Sequence, residues 1–354
     1  MTDAHWAAIK EIVARRTQPT GGTGSVGGRR ALLAAFIIDS PWLPNWRGMH
    51  ILDYFESEEL WFDANRAAVE LFPDAAFIPG FWAEYGMCTE PSAFGARSSF
   101  PENEFPHANP VIRRVEDIDD LVEPDPAKDG LLPFVLKRME RALPRMEALG
   151  HRVRFSVSRG PLNVASYLMG MTDFLVALKT EPDRAKSLLS IVTSFLERWH
   201  AIQRERFPSI EGVMILDDIV GFLGEEDFLE FARPYLARLF AVDVPVKLFH
   251  NDADCASSIA HYADIGINLY NPGTKLPLAE LHARSAGRLA ILGCMPPRDV
   301  LAAAAPAEVA AELRRQISAT PTDARVILSC AGGMPPGVSE ANLRAFLAQA
   351  ARAV

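Results

Sequence analysis

Cysteine is scarce in this chain of 354 residues: four occur, at positions 88, 255, 294 and 330, and none forms a CxxC pair. That excludes a disulfide framework and a zinc ribbon, and a reduced, cytoplasmic setting is expected. No lysine- and arginine-rich run is present, and the net charge is −9. A nucleic-acid partner, which calls for a cationic surface, is therefore not expected. The stretch from Ala4 to Arg16 is charged and amphipathic rather than an apolar leader. No uncharged apolar run approaches the ~20 residues of a membrane helix, so no membrane partner is expected either.

A dinucleotide fingerprint is missing too, since no GxGxxG follows the first apolar run. The glycine-rich stretch Gly21 to Gly28 follows a helical segment and precedes a strand, the reverse of a phosphate cradle. It reads as a flexible connector. What remains is an ordinary globular composition, 49% hydrophobic and 23% charged, large enough to bury one core without staples.

Short apolar runs alternate with amphipathic segments along most of the chain. Strands are expected at Ala31–Ile38, Ala75–Ile78, Val153–Val157, Val213–Leu216, Val246–Phe249, Ile267–Tyr270, Leu289–Leu292 and Val326–Leu328. Helices are expected between them, among them Ile51–Leu71, Val164–Lys179, Asp183–Arg206 and Glu226–Val242, with Glu340–Ala351 last. Short strands that are apolar throughout are buried on both faces, as in a parallel sheet. Eight such strand–helix units favour a single-domain (β/α)8 TIM barrel over residues 31–354. Residues 1–30 precede it as a helix and connector. A long proline-rich loop, roughly Thr89 to Asp129, follows strand two.

In such a barrel the chemistry gathers at the C-terminal ends of the strands. Strand two runs into Glu84 and Tyr85, candidates for substrate binding, as are Asn251 and Asn271 after strands five and six. Strand four ends in Asp217 and Asp218, of which at most one can face inward and act as a catalytic acid or base. His250 and Asp252 share one side of strand five, and Cys330 ends strand eight on the same mouth. Imidazole, carboxylate and thiolate are all zinc ligands, and three of them leave a position for substrate. Each has a plainer reading: a hydrogen-bonded core histidine, a helix cap, a small buried hydrophobe. Cys294 is an alternative third ligand, and Cys255 reads as structural.

The segment Met214–Asp218 with Phe228–Phe231, Pro234 and Tyr235 resembles the uroporphyrinogen decarboxylase superfamily. So do Gly160–Leu162, Leu292–Pro297 and Cys330–Pro336 followed by Ser339–Asn342. The resemblance implies a (β/α)8 barrel. True decarboxylases of this superfamily carry an early arginine block that binds tetrapyrrole carboxylates. Here Ala35–Trp42 contains no arginine. The other branch holds methylcobamide:coenzyme M methyltransferases, whose zinc is bound by His-x-Cys and a distant Cys. His250 and Cys330 match that pattern, and Asp252 replaces the middle cysteine.

The resemblance thus implies a zinc-dependent methyltransferase working between a corrinoid and a small-molecule donor or thiol. No D-x-H-x-x-G corrinoid-ligand motif occurs, so the corrinoid must come free or on a partner protein. The rival expectations are a metal-free decarboxylase or lyase acting on a small carboxylated substrate, and a non-catalytic tetrapyrrole-binding module.

Overall fold

The computed structural model describes residues 1–15, 32–38 and 41–352. The glycine-rich stretch at 21–28 and Asp39–Ser40 lie outside the described residues. Eight parallel strands occur where the apolar runs place them: β1 Ala34–Ile37, β2 Ala75–Ile78, β3 Phe155–Arg159, β4 Gly212–Leu216, β5 Val246–Asn251, β6 Leu269–Pro272, β7 Ala290–Leu292 and β8 Arg325–Ile327. Six of them, β1 to β4, β6 and β7, are buried at every position, as strands covered on both faces are.

β3 to β8 form one six-stranded sheet in sequence order, and β1 pairs with β2. A bridge between Ala34 and Leu328 joins the two sheets. There Ala35 N–H donates to the Leu328 carbonyl, and Leu328 N–H to that of Leu33, both at 2.9 Å. Alternate residues of all eight strands, including Ala35, Ala76, Val157, Leu248, Ala290 and Ile327, share one interior apolar cluster. The sheet therefore curls around a common core, as the barrel reading requires.

The ladder is not closed, however. Among the described residues no pairing joins β2 to β3. Side chains satisfy that edge of β3 instead. Val157 N–H donates to Gln203 Oε1 at 2.9 Å, Gln203 Nε2 donates to the Val157 carbonyl at 3.0 Å, and Arg159 N–H donates to Glu90 Oε1 at 2.9 Å. Buried backbone groups must find partners somewhere, and here an amide and a carboxylate replace a neighbouring strand.

The N-terminal helix α1, Asp3–Ala14, is part of this core rather than an appendage. Its Trp6, Ile9, Ile12 and Val13 are buried, and Trp6 meets Phe155 edge-on at 5.2 Å, at the N-terminal end of β3. It plugs the end of the interior opposite the mouth. Helices Pro182–Arg206 and Leu278–Arg284 pack against β3 and β7.

Three long helical expectations break for physical reasons. Ile51–Leu71 divides into Ile51–Glu56 and Glu58–Leu71 at Ser57, whose hydroxyl accepts the Leu60 N–H at 3.2 Å and caps the second helix. Val164–Lys179 divides into Pro161–Met169 and Met171–Thr180 at Gly170, whose φ is +92°. Glu226–Val242 divides because Pro234 lacks an N–H. A π turn at Phe228–Ala232 precedes the regular helix Arg233–Phe240. The proline-rich loop after β2 carries a short helix at Thr89–Ala93 and a two-residue ladder between Ser98–Ser99 and His107–Ala108. Among the described residues no single helix is long and apolar enough to cross a membrane.

His200, on helix Pro182–Arg206, is buried with its Nε2 2.8 Å from Ser158 Oγ of β3. Burial, helped by Arg204, lowers its pKa from 6.5 to about 3. Below pH 6.5 the unfolded chain binds a proton that the folded chain refuses until about pH 3. Stability should therefore fall on acidification through that window, by up to about 1.4 kcal/mol per pH unit from this group. Urea denaturation of wild type and His200→Gln from about pH 7 downward should show a shallower acid loss in the variant. Parallel curves would clear His200 of that role.

Candidate metal centre

At the end of β4 two adjacent aspartates leave in opposite directions. Asp217 is fully buried, and its Oδ2 and Oδ1 accept the N–H groups of Leu162 and Asn163, each at 2.9 Å. Those are unsatisfied donors of the first turn of helix Pro161–Met169, so a carboxylate from one strand caps the helix that follows another. Gly160 makes the approach possible, because a Cβ there would stand 2.2 Å from Asp217 Oδ2. Burial pushes the Asp217 carboxyl well above its usual range, while the backbone donors pull it down. Asp217, a catalytic candidate in the sequence, is thus spent on structure.

Asp218 turns toward the mouth instead. The pleat explains the division. Met214 and Leu216 face the interior cluster, so 218 continues that side and 217 the other. The same parity was available from the sequence. The turn is also held in place: Ile219 N–H donates to Asn163 Oδ1 at 3.1 Å. Gly221 lets the turn pack tightly on β5's loop, where a Cβ would come within 2.4 Å of Ala253 Cβ.

β5 sends His250 and Asp252 to the same side, as their spacing requires. Asp218 Oδ1 lies 3.6 Å from His250 Nε2 and accepts the Asp252 N–H at 3.1 Å. One ligand-type atom from each of Asp218, His250 and Asp252 lies within 4.8 Å of the others. Desolvation, then the neighbouring Asp218, raises the Asp252 carboxyl above its ordinary pKa. Asn251 faces away. Its Oδ1 accepts Ala253 N–H at 2.9 Å and its Nδ2 donates to Tyr262 Oη at 3.3 Å, so the expected substrate contact is a buried turn residue.

Asn271 of β6 is also buried, and it holds the histidine. Its Nδ2 donates to the Leu292 carbonyl at 2.7 Å, which leaves Oδ1 at 2.7 Å from His250 Nδ1. That oxygen can only accept, so Nδ1 donates to it and Nε2 is the ring nitrogen turned toward the carboxylates. Asn271 is expected as a substrate contact; here it is an orienting partner.

Cys330 is buried beside this cluster, but its sulfur is not among the atoms that converge. The thiol donates to the Gly332 carbonyl at 3.8 Å. Gly332, with φ +64°, brings that loop against Asp252, where a Cβ would stand 2.8 Å from Oδ2. Cys294 lines a separate cavity with Leu276, Pro296 and Arg315, and burial pushes its thiol up to about 12.

Glu84 and Tyr85 go elsewhere. Glu84 pairs with Arg159 Nη1 at 2.8 Å beside the β2–β3 gap, and Arg159 lies over Trp82. Tyr85 stacks on Phe55 under the Arg138 guanidinium and lines an open pocket with Leu52, Phe100 and Phe134.

A family model described as Uroporphyrinogen decarboxylase (URO-D) matches residues 45–353. A uroporphyrinogen decarboxylase of Anaeromyxobacter dehalogenans is 30% identical over 251 residues, 68% of each chain. One from Chlorobium limicola is 26% identical over 265 residues, 71% of this chain and 73% of that one. Among solved structures, a methyltransferase from Methanosarcina mazei superposes with TM-score 0.74 at 17% identity, covering 92% of this chain and 95% of that one. A B12-independent methionine synthase from a Shewanella species gives TM-score 0.53 at 12% identity, covering 92% and 96%. At these identities the structural likeness speaks to fold, and it agrees with eight strands curled around one core.

Replacing Asp217 with alanine leaves two buried helix N–H groups without an acceptor, a loss of about 2–4 kcal/mol. Chemical denaturation should register it. An unchanged midpoint would return Asp217 to the candidates for chemistry.

Proposed function

The chain belongs to the uroporphyrinogen decarboxylase family, and from that premise we propose that it is a zinc-dependent methyltransferase acting between a corrinoid and a small-molecule donor or thiol acceptor. The observation that carries the reading is the convergence of an oriented imidazole and two carboxylates at the mouth. Decarboxylation of a tetrapyrrole is less well supported. Several substrate carboxylates need several cations, whereas Ala35–Trp42 offers none and Arg159 is already paired with Glu84.

The residues present fit a zinc ion by donor chemistry: neutral imidazole nitrogen and carboxylate oxygen are both ordinary ligands, and the excess negative charge calls for a cation. His250 and Asp252 would hold it with a third donor from Asp218 or Cys330. Bound there, zinc supplies Lewis acidity that favours a deprotonated thiol or a polarised oxygen at neutral pH. Asn271 keeps the imidazole in its ligating tautomer. In the thiol direction the acceptor surrenders its proton to solvent and its sulfur bonds the methyl carbon. The corrinoid keeps the electron pair of the broken cobalt–carbon bond. With no corrinoid-ligand motif in the chain, the corrinoid arrives free or on a partner protein.

One observation favours a second reading, a metal-free lyase. Arg298 is exposed and pulls the Asp252 carboxyl down, so it is a cation at the mouth for a carboxylated substrate.

Metal content by mass spectrometry on wild type and His250→Ala separates the two. About one zinc per chain is expected in the wild type and none in the variant, with methyl transfer to cobalamin following the metal. Wild type that stays metal-free after zinc is supplied, yet cleaves small carboxylic acids, would sink the methyltransferase reading.

A further inference from the structure

We infer that the metal at this mouth is completed by Asp218 rather than Cys330, giving a ligand set of one nitrogen and two oxygens with no sulfur. The inference rests on the metal-dependent reading above and goes beyond it by choosing the third donor.

Three independent constraints bring Asp218 to the site. Met214 and Leu216 of β4 face the interior, and the extended backbone of Asp217 (φ −145°, ψ 84°) carries 218 to the same side, where the 3-10 turn Asp218–Phe222 begins. Its neighbours are immobilised, Asp217 by two helix N–H groups and Ile219 by Asn163. The carboxylate itself is aimed by the Asp252 N–H at 3.1 Å, which leaves lone pairs toward the histidine. A second line of evidence comes from the histidine. His250 is 7% exposed, and Asn271 fixes its ring so that Nε2, not Nδ1, is offered to Asp218 and Asp252. An imidazole buried and oriented in this way is organised for a cation.

Cys330 is organised differently. Its sulfur is directed to the Gly332 carbonyl of its own loop and stands outside the group of converging donor atoms. Its neighbour Gly332 supplies the contact with Asp252 instead. Two carboxylates also balance a divalent charge without requiring a thiolate. Such a set is harder than one containing sulfur, so its affinity should extend to cobalt and manganese as well as zinc.

Cobalt(II) is the probe, because cobalt–thiolate bonds give an intense near-ultraviolet charge-transfer band and nitrogen–oxygen sets do not. Wild type, Asp218→Asn and Cys330→Ser are titrated with cobalt(II) and with zinc, and folding is checked by circular dichroism. Asparagine keeps an acceptor for the Asp252 N–H, so the turn should survive the substitution. The expected result is a wild-type spectrum without the thiolate band, affinity lowered about tenfold or more in Asp218→Asn, and little change in Cys330→Ser. A thiolate band that disappears in Cys330→Ser, with Asp218→Asn binding as tightly as wild type, overturns the inference and leaves the metal-dependent reading intact. No uptake of either metal by wild type overturns both.

Discussion

The pleat of a β-strand sends neighbours to opposite sides, and that constraint decides most of what this mouth can do. At the end of β4 it separates two aspartates that look equivalent in the sequence, committing Asp217 to a helix terminus and Asp218 to the mouth. At the end of β5 it keeps His250 and Asp252 together while turning Asn251 into the loop. Each outward residue then finds buried work that fixes the inward one. The structural and the chemical residues are therefore adjacent in sequence and coupled in space.

Much of the fold was legible because its signals are local. Eight short apolar runs gave eight parallel strands, since full burial on both faces writes itself into composition. The exceptions come from local chemistry within helices: a cap at Ser57, a glycine at 170 and a proline at 234 divide segments whose periodicity reads as continuous. Closure of the ladder was not legible. Whether two strands pair depends on what competes for their edge groups, and nothing in β2 or β3 announces that Gln203 and Glu90 would do so.

The site was legible in part. Spacing alone placed His250 beside Asp252. Asp218 was among the candidates, but the side it faces needed the parity of β4 carried two residues past the strand. Cys330 was favoured by resemblance, and its loop does reach the cluster, though through Gly332 rather than through sulfur. The sequence shows the position of Asn271 but not its role. Amide side chains are ambiguous in sequence because the same group can bind a ligand or aim one, and only the Leu292 carbonyl resolves which end faces the histidine.

The gap between β2 and β3 has a consequence for how the mouth can change shape. Elsewhere around the core, neighbouring strands are tied by amide hydrogen bonds that are short-ranged and uniform. Across this joint the Arg159 guanidinium is gripped by Glu84 against the face of Trp82, while Glu90 takes the Arg159 backbone N–H. Such a rivet is specific in geometry, and lysine cannot reproduce its planar fork. A hoop with one riveted joint yields there first. If a bulky substrate has to widen this mouth, the least costly place to do so is the side where charge, rather than backbone, holds the circumference together.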